Sequence, residues 1–163
     1  MNFAREGENV SERAAGSRIL ALDVGRKRIG MAVSDALGVT AQGLPTWERV
    51  RIREDLAFLR QCAEERHVGL FLLGFPLHMS GRESRQAEYV REFGDRLAAY
   101  SGIPVEYWDE RLTSVEAGRV LRSSGIGIEK RARAVDRLSA VLILESYLES
   151  LAIAAGTDDP FSC

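Results

Sequence analysis

Polar and apolar residues change period several times along the chain, and each period predicts an element. "RILALD" (18–23) and "IGMAVSD" (29–35) are short apolar runs parted by a glycine and a cluster of basic residues, and "GVTAQGLPTW" (38–47) supplies a third extended segment. Three strands joined so tightly predict an antiparallel meander. From Ile52 the apolar positions widen to helical spacing, Ile52, Leu56, Leu59 and Ala63, with charge on the other face and His67 at the helix end. "VGLFLLGFP" (68–76) is apolar almost throughout and closes on Gly74 and Pro76, the pattern of a parallel strand covered on both faces.

After the polar loop "PLHMSGRES", Val90, Phe93, Leu97 and Tyr100 mark a second helix, which Gly102 and Pro104 end before the short strand "VEYW". "TSVE" (113–116) has the form of a capping box at a helix start. "RSSGIGIEKRARA" (122–134), with its glycines and basic run, reads as a loop. The last segment, "VDRLSAVLILESYLESLAIA", is too long for a strand and apolar around much of its circumference, hence a largely buried helix with Asp136 at its beginning. The predicted class is α/β: one domain with a mixed sheet, three antiparallel strands and then parallel ones, with flanking helices. That domain is expected over 18–152, between a mobile N-terminal extension (1–17) and a frayed C-terminal tail (153–163).

Composition narrows the partners. A net charge of -2 argues against a general polyanion binder, while leaving room for a local basic patch. No run reads as apolar for long enough to cross a bilayer, and "MNFAREGENVSERAAGSR" lacks the apolar core of a secretory signal. A cytoplasmic protein without a membrane partner is therefore expected. Cys62 and Cys163 form neither a disulfide framework nor a metal-ligand spacing. With only His67 and His78, a histidine-rich zinc site and a Ser-His-Asp set both lack support.

Candidate chemistry sits on acids at the ends of elements. Ligands of α/β sheets bind in crevices at strand ends. Asp23 closes an apolar strand, where a carboxylate needs a cation or donors to replace its lost water. It suits equally a turn built with Gly25. Asp136 at a helix start also favours the positive end of the helix dipole. In "DERLT", Asp109 and Glu110 point to opposite faces of a strand, and alternation leaves open which of them faces the crevice.

In order and spacing, "LALDVGRKRIGMAVSD", "LLGFPLHMSGRES", "YWDERLTSVEA" and "VDRLSAVLILESYL" resemble the bacterial pre-16S rRNA nucleases, also described as Holliday-junction-resolvase-like proteins, over nearly all of 18–151. The resemblance implies a ribonuclease H-like fold. It also implies a metal-dependent endonuclease that hydrolyses structured nucleic acid and processes the 5′ end of pre-16S rRNA in ribosome biogenesis, leaving a 5′-phosphate and a 3′-hydroxyl. Asp23, Glu110 and Asp136 are then the catalytic and metal-binding residues, and Glu110 is preferred to Asp109. Such hard oxygen donors suit Mg²⁺ or Mn²⁺, and two ions about 4 Å apart would serve both the attacking water and the leaving oxygen. Junction resolvases place a further carboxylate one turn along the last helix. Ser139 stands at that position here, so one ligand of a second ion is missing.

Several segments bring positive charge towards these acids. Arg28, Arg111, Arg82 and Lys130 are the expected substrate contacts, the first two because each is near a site acid in the chain. The expected partners are structured RNA, branched DNA and pre-ribosomal particles; the oligomeric state is not legible. Competing readings are a Holliday-junction-type DNA resolvase and a non-catalytic nucleic-acid or ribosome-assembly binding factor. An actin-like or sugar-kinase-like ATPase would need two lobes, and this chain has room for one.

Overall fold

The computed structural model describes residues 16–76, 84–109 and 127–157. Their elements are β1 (Arg18–Val24), β2 (Arg28–Ser34), β3 (Ala41–Glu48), α1 (Ile52–Glu65), β4 (Val68–Phe75), α2 (Arg85–Ser101), β5 (Val105–Asp109) and α3 (Ile128–Thr157). The strands form one sheet in the order β3-β2-β1-β4-β5. β1, β2 and β3 pair antiparallel, and β4 and β5 then add in parallel, as the sequence predicts.

Alternation along β1 divides the core into two layers. Leu20, Leu22 and Val24 share one face with Phe71, Leu73 and Phe75 of β4 and meet Leu56 and Leu59 of α1 and Val90, Phe93 and Leu97 of α2. Ile19 and Ala21 point the other way and, with Ala32, Leu70 and Leu72, meet Ala140, Ile143, Leu144 and Tyr147 of α3. Asp23 continues this second set, so it belongs to the α3 face. Each such leucine or phenylalanine contributes about 1.5–3 kcal/mol by burial, and together they fix the strand ends that carry the site.

Local chemistry ends the helices. Ser84 caps α2: its Oγ accepts the Ala87 N–H at 3.0 Å and donates to the Pro76 carbonyl at 3.0 Å. Gly102, at φ +72°, closes the far end. His67 follows α1 at φ +55°, and its carbonyl accepts the Arg18 N–H at 3.0 Å, which fits its reading as a helix end.

α3 departs from expectation in three ways. It starts at Ile128, so residues 128–134 are helical instead of a loop, and Asp136 stands eight residues inside the helix instead of at its beginning. Lysine, arginine and alanine are strong helix formers, and nothing after Gly127 breaks the helix. It also runs through Thr157, past the expected boundary at 152. Finally, Lys130–Ala155 is long and apolar enough to cross a membrane by length and composition, contrary to the reading that no run would be. Its apolar stripe at Ala140, Ile143 and Leu144 is instead buried on the sheet. Arg82, Glu110, Arg111 and the capping box at 113–116 lie outside the described residues.

Candidate active site between β1, β2 and α3

Asp23 is the cross-strand partner of Gly30 in the β1–β2 ladder. Such partners have Cα atoms about 5 Å apart and side-chain positions on the same face. α3 crosses β2 at this point. A Cβ built on Gly30 would lie 1.9 Å from the carbonyl oxygen of Asp136 and 3.0 Å from its Cα, so the helix rests directly on the glycine. Gly43 on β3 is a second low point, where a Cβ would lie 2.8 Å from Cγ of Arg137. The two glycines let α3 settle onto the sheet and place the Asp136 backbone over Gly30, the strand partner of Asp23.

Arg28 precedes Gly30 by two residues and therefore shares its face. Its Nε donates to Oδ2 of Asp136 at 2.9 Å. Burial pushes the Asp136 carboxyl above the ordinary value of 3.8, while the hydrogen bond and charge of Arg28 pull it back only in part. The carboxylate thus sits where more positive charge than one guanidinium would be favourable. On β5, Asp109 pairs with Phe75, which places it on the α1/α2 side of the sheet and away from Asp23.

Behind the β1–β2 turn lies a polar clamp that sequence reasoning missed. The turn closes through the Gly25 N–H, which donates to the Arg28 carbonyl at 2.9 Å. Arg49 donates from Nη1 to the Gly25 carbonyl at 3.0 Å and to the Tyr89 hydroxyl, and from Nε to Oδ2 of Asp55 at 2.9 Å. Asp55 is 1% exposed and also accepts from Trp47 Nε1 at 2.9 Å and the Val50 N–H at 3.1 Å. Arg26 lies 4.7 Å over the Tyr89 ring. The available signal was a charge on a core stripe, because Asp55 lies between Ile52 and Leu59 on the buried side of α1.

The family model described as RuvX, Holliday junction resolvase, matches residues 17–150. The chain belongs to the RuvX family. A relative from Koribacter versatilis bearing the name "Putative pre-16S rRNA nuclease" is 54% identical over 136 residues, covering 83% of this chain and 89% of its own. Another of that name, from Heliobacterium modesticaldum, is 43% identical over 141 residues, 86% of this chain and 95% of its own. Among solved structures, T. thermophilus RuvC in complex with Holliday junction substrate matches with a TM-score of 0.52 at 13% identity, over 83% of this chain and 96% of that one. Fowlpox virus resolvase gives 0.50 at 13% identity, over 82% and 98%. The RuvX chain therefore has the ribonuclease H-like fold of these resolvases.

On that fold the candidate site offers hard oxygen donors, Asp23 and Asp136, of the kind that suit a divalent ion such as Mg²⁺ or Mn²⁺. Among the described residues no three His, Cys, Asp or Glu side chains converge, and Glu110 lies beyond them. Ser139, one turn past Asp136 on α3, is 1% exposed. Of the basic residues expected at the site, Arg28 touches an acid. Lys130 is exposed about 9 Å along α3 from Asp136. It shares a helical stripe with Arg133, which donates to Glu48 and whose carbonyl accepts the Thr46 hydroxyl at 2.8 Å, so the stripe follows the β3 edge.

Proposed function

We propose that this RuvX-family chain is a metal-dependent endonuclease that hydrolyses phosphodiester bonds in structured RNA, maturing the 5′ end of pre-16S rRNA on pre-ribosomal particles in the cytoplasm. The observation that supports this reading is that Asp23 and Asp136 both adjoin Gly30, the first as its strand partner and the second through the backbone of α3 resting on it. The names of the relatives support the RNA substrate.

Asp23 and Asp136, with Glu110 as the third acid, would hold Mg²⁺ or Mn²⁺, which when bound supplies a Lewis acid to water and to a phosphoryl oxygen. Arg28 holds Asp136 in place and adds positive charge beside the position of the phosphate. The Arg49 clamp fixes the turn between Asp23 and Arg28, and hydrolysis depends on such fixed geometry. In the reaction a water oxygen bonds to phosphorus and the bond to the 3′-oxygen breaks. That oxygen leaves as a hydroxyl, and one proton passes to solvent from the new phosphate.

The family's description favours branched DNA as the second reading. Buried Ser139, in place of a further carboxylate, favours a non-catalytic binding factor as the third. Wild type and Asp23→Asn should be assayed on a structured RNA and a four-way DNA junction with Mg²⁺ or Mn²⁺. RNA cleavage that disappears in the variant is the expected result. Cleavage that survives Asp23→Asn would overturn the assignment of Asp23. Cutting of the junction alone would transfer the reading to DNA, and binding without cleavage would leave the assembly factor.

A further inference from the structure

We propose that Arg28 is a catalytic residue: held by Asp136, its guanidinium binds the phosphate to be cleaved in the place of a second divalent ion, so the site works with one ion. This rests on the nuclease reading and adds how many metals it uses and what replaces the missing one.

The first support is the way Arg28 is held. Its bond to Asp136 uses Nε, and among the described residues the Arg28 side chain makes no other hydrogen bond. A guanidinium bound at Nε still presents the edge formed by its two Nη groups, whose spacing matches two oxygens of a phosphate. One side chain can therefore join a site carboxylate to the substrate. In a two-ion site that bridge is made by the second ion.

Acid content gives the second support. A pair of divalent ions needs enough carboxylate to offset four positive charges. The position one turn beyond Asp136 holds Ser139, which is 1% exposed and sealed against the sheet beside Ala140. A fixed single charge on Arg28 balances the smaller acid set that remains.

Third, the surroundings leave the charge of Arg28 for the site. Its cross-strand partner is Glu48, the nearest acid on β3, yet Glu48 is engaged by Arg133 of α3. The side chain of Arg28 is 34% exposed, open enough for a phosphate to reach it. Its backbone is fixed by the Gly25 N–H, and Gly25 is in turn held by Arg49. An arginine fixed at both ends suits transition-state charge better than a mobile surface base.

The test counts bound Mn²⁺ by electron paramagnetic resonance, for the free protein and with a short phosphorothioate RNA hairpin. Wild type, Arg28→Gln and Arg28→Met are compared; the glutamine can still donate to Asp136 without a charge, which separates the loss of charge from loss of folding. One Mn²⁺ per wild-type chain is expected, with or without RNA. Both variants should keep that ion while cleaving about 10²–10³-fold more slowly, with added guanidinium ion restoring part of the rate of Arg28→Met. Two Mn²⁺ per wild-type chain with RNA bound, or cleavage by Arg28→Gln within a few-fold of wild type, would overturn the proposal and leave the nuclease reading intact. Asp23→Asn in the same experiment tests that reading separately, since it should lose the ion itself.

Discussion

Gly30 and Asp136 touch only because position 30 has no side chain: a Cβ there would stand 1.9 Å from the carbonyl oxygen of Asp136. The contact seats α3, two turns past its first residue, on the strand partner of Asp23. Gly30→Ala must lift the helix or bend β2, at a cost of about 1–3 kcal/mol. Cleavage should fall far more than stability does, because Asp136 moves with the helix. Urea unfolding and cleavage rates measured on the folded variant check both halves.

Asp136 itself predicts a pH dependence. Burial raises its carboxyl and Arg28 only partly opposes this, so the folded protein binds the proton more readily than the unfolded chain. Its contribution to stability is then full below the ordinary value of 3.8 and is lost as pH rises through the raised folded value. At neutral pH the ionised group is a net burden, accepted for function. Asp136→Asn should therefore melt at or above the wild-type temperature at pH 7 while cleavage is abolished, with the gap closing in acid. A variant that melts well below wild type at pH 7 would contradict this.

Asp55 and Arg49 form a shielded ion pair, with side chains 1% and 11% exposed. Removing one partner leaves the other charged and buried, which costs about 3–5 kcal/mol. Asp55→Ala should lower the urea midpoint accordingly. It should also slow cleavage at temperatures where it remains folded, because the β1–β2 turn loses its clamp.

On the other side of the sheet, Gly94 faces Tyr107, whose hydroxyl would lie 2.3 Å from a Cβ at position 94. That hydroxyl donates to the Arg91 carbonyl at 3.2 Å, and burial, with Asp95 adding to it, pushes its pKa up to about 12. Gly94→Ala should be destabilising, and Tyr107→Phe should relieve part of the clash. A double-mutant cycle is expected to give a coupling of about 1 kcal/mol or more.

What the sequence showed followed from how directly each residue reports its surroundings. The short apolar runs of β1 and β2 and the longer one of β4 are direct records of burial on both faces, so the meander and the central strand were legible. The start of α3 was not, because the charges of Lys130 and Arg133 mark an exposed surface and say nothing about backbone conformation. Asp23 and Asp136 stood out as acids at the ends of predicted elements, although α3 begins eight residues before Asp136. Gly30 did not, because a glycine in a strand reads as a weak point until the helix above it is known. Strand phase at β5 needed the pairing of Phe75 with Asp109, which puts Asp109 on the face away from Asp23.

The sharing of one divalent ion by Asp23 and Asp136 is the claim on which the account turns, and anomalous diffraction from crystals soaked in manganese chloride tests it most directly. The account predicts a manganese peak about 2 Å from a carboxylate oxygen of each residue. A peak held elsewhere, with Asp136 still bound to Arg28 and Asp23 making no contact to the metal, would contradict it.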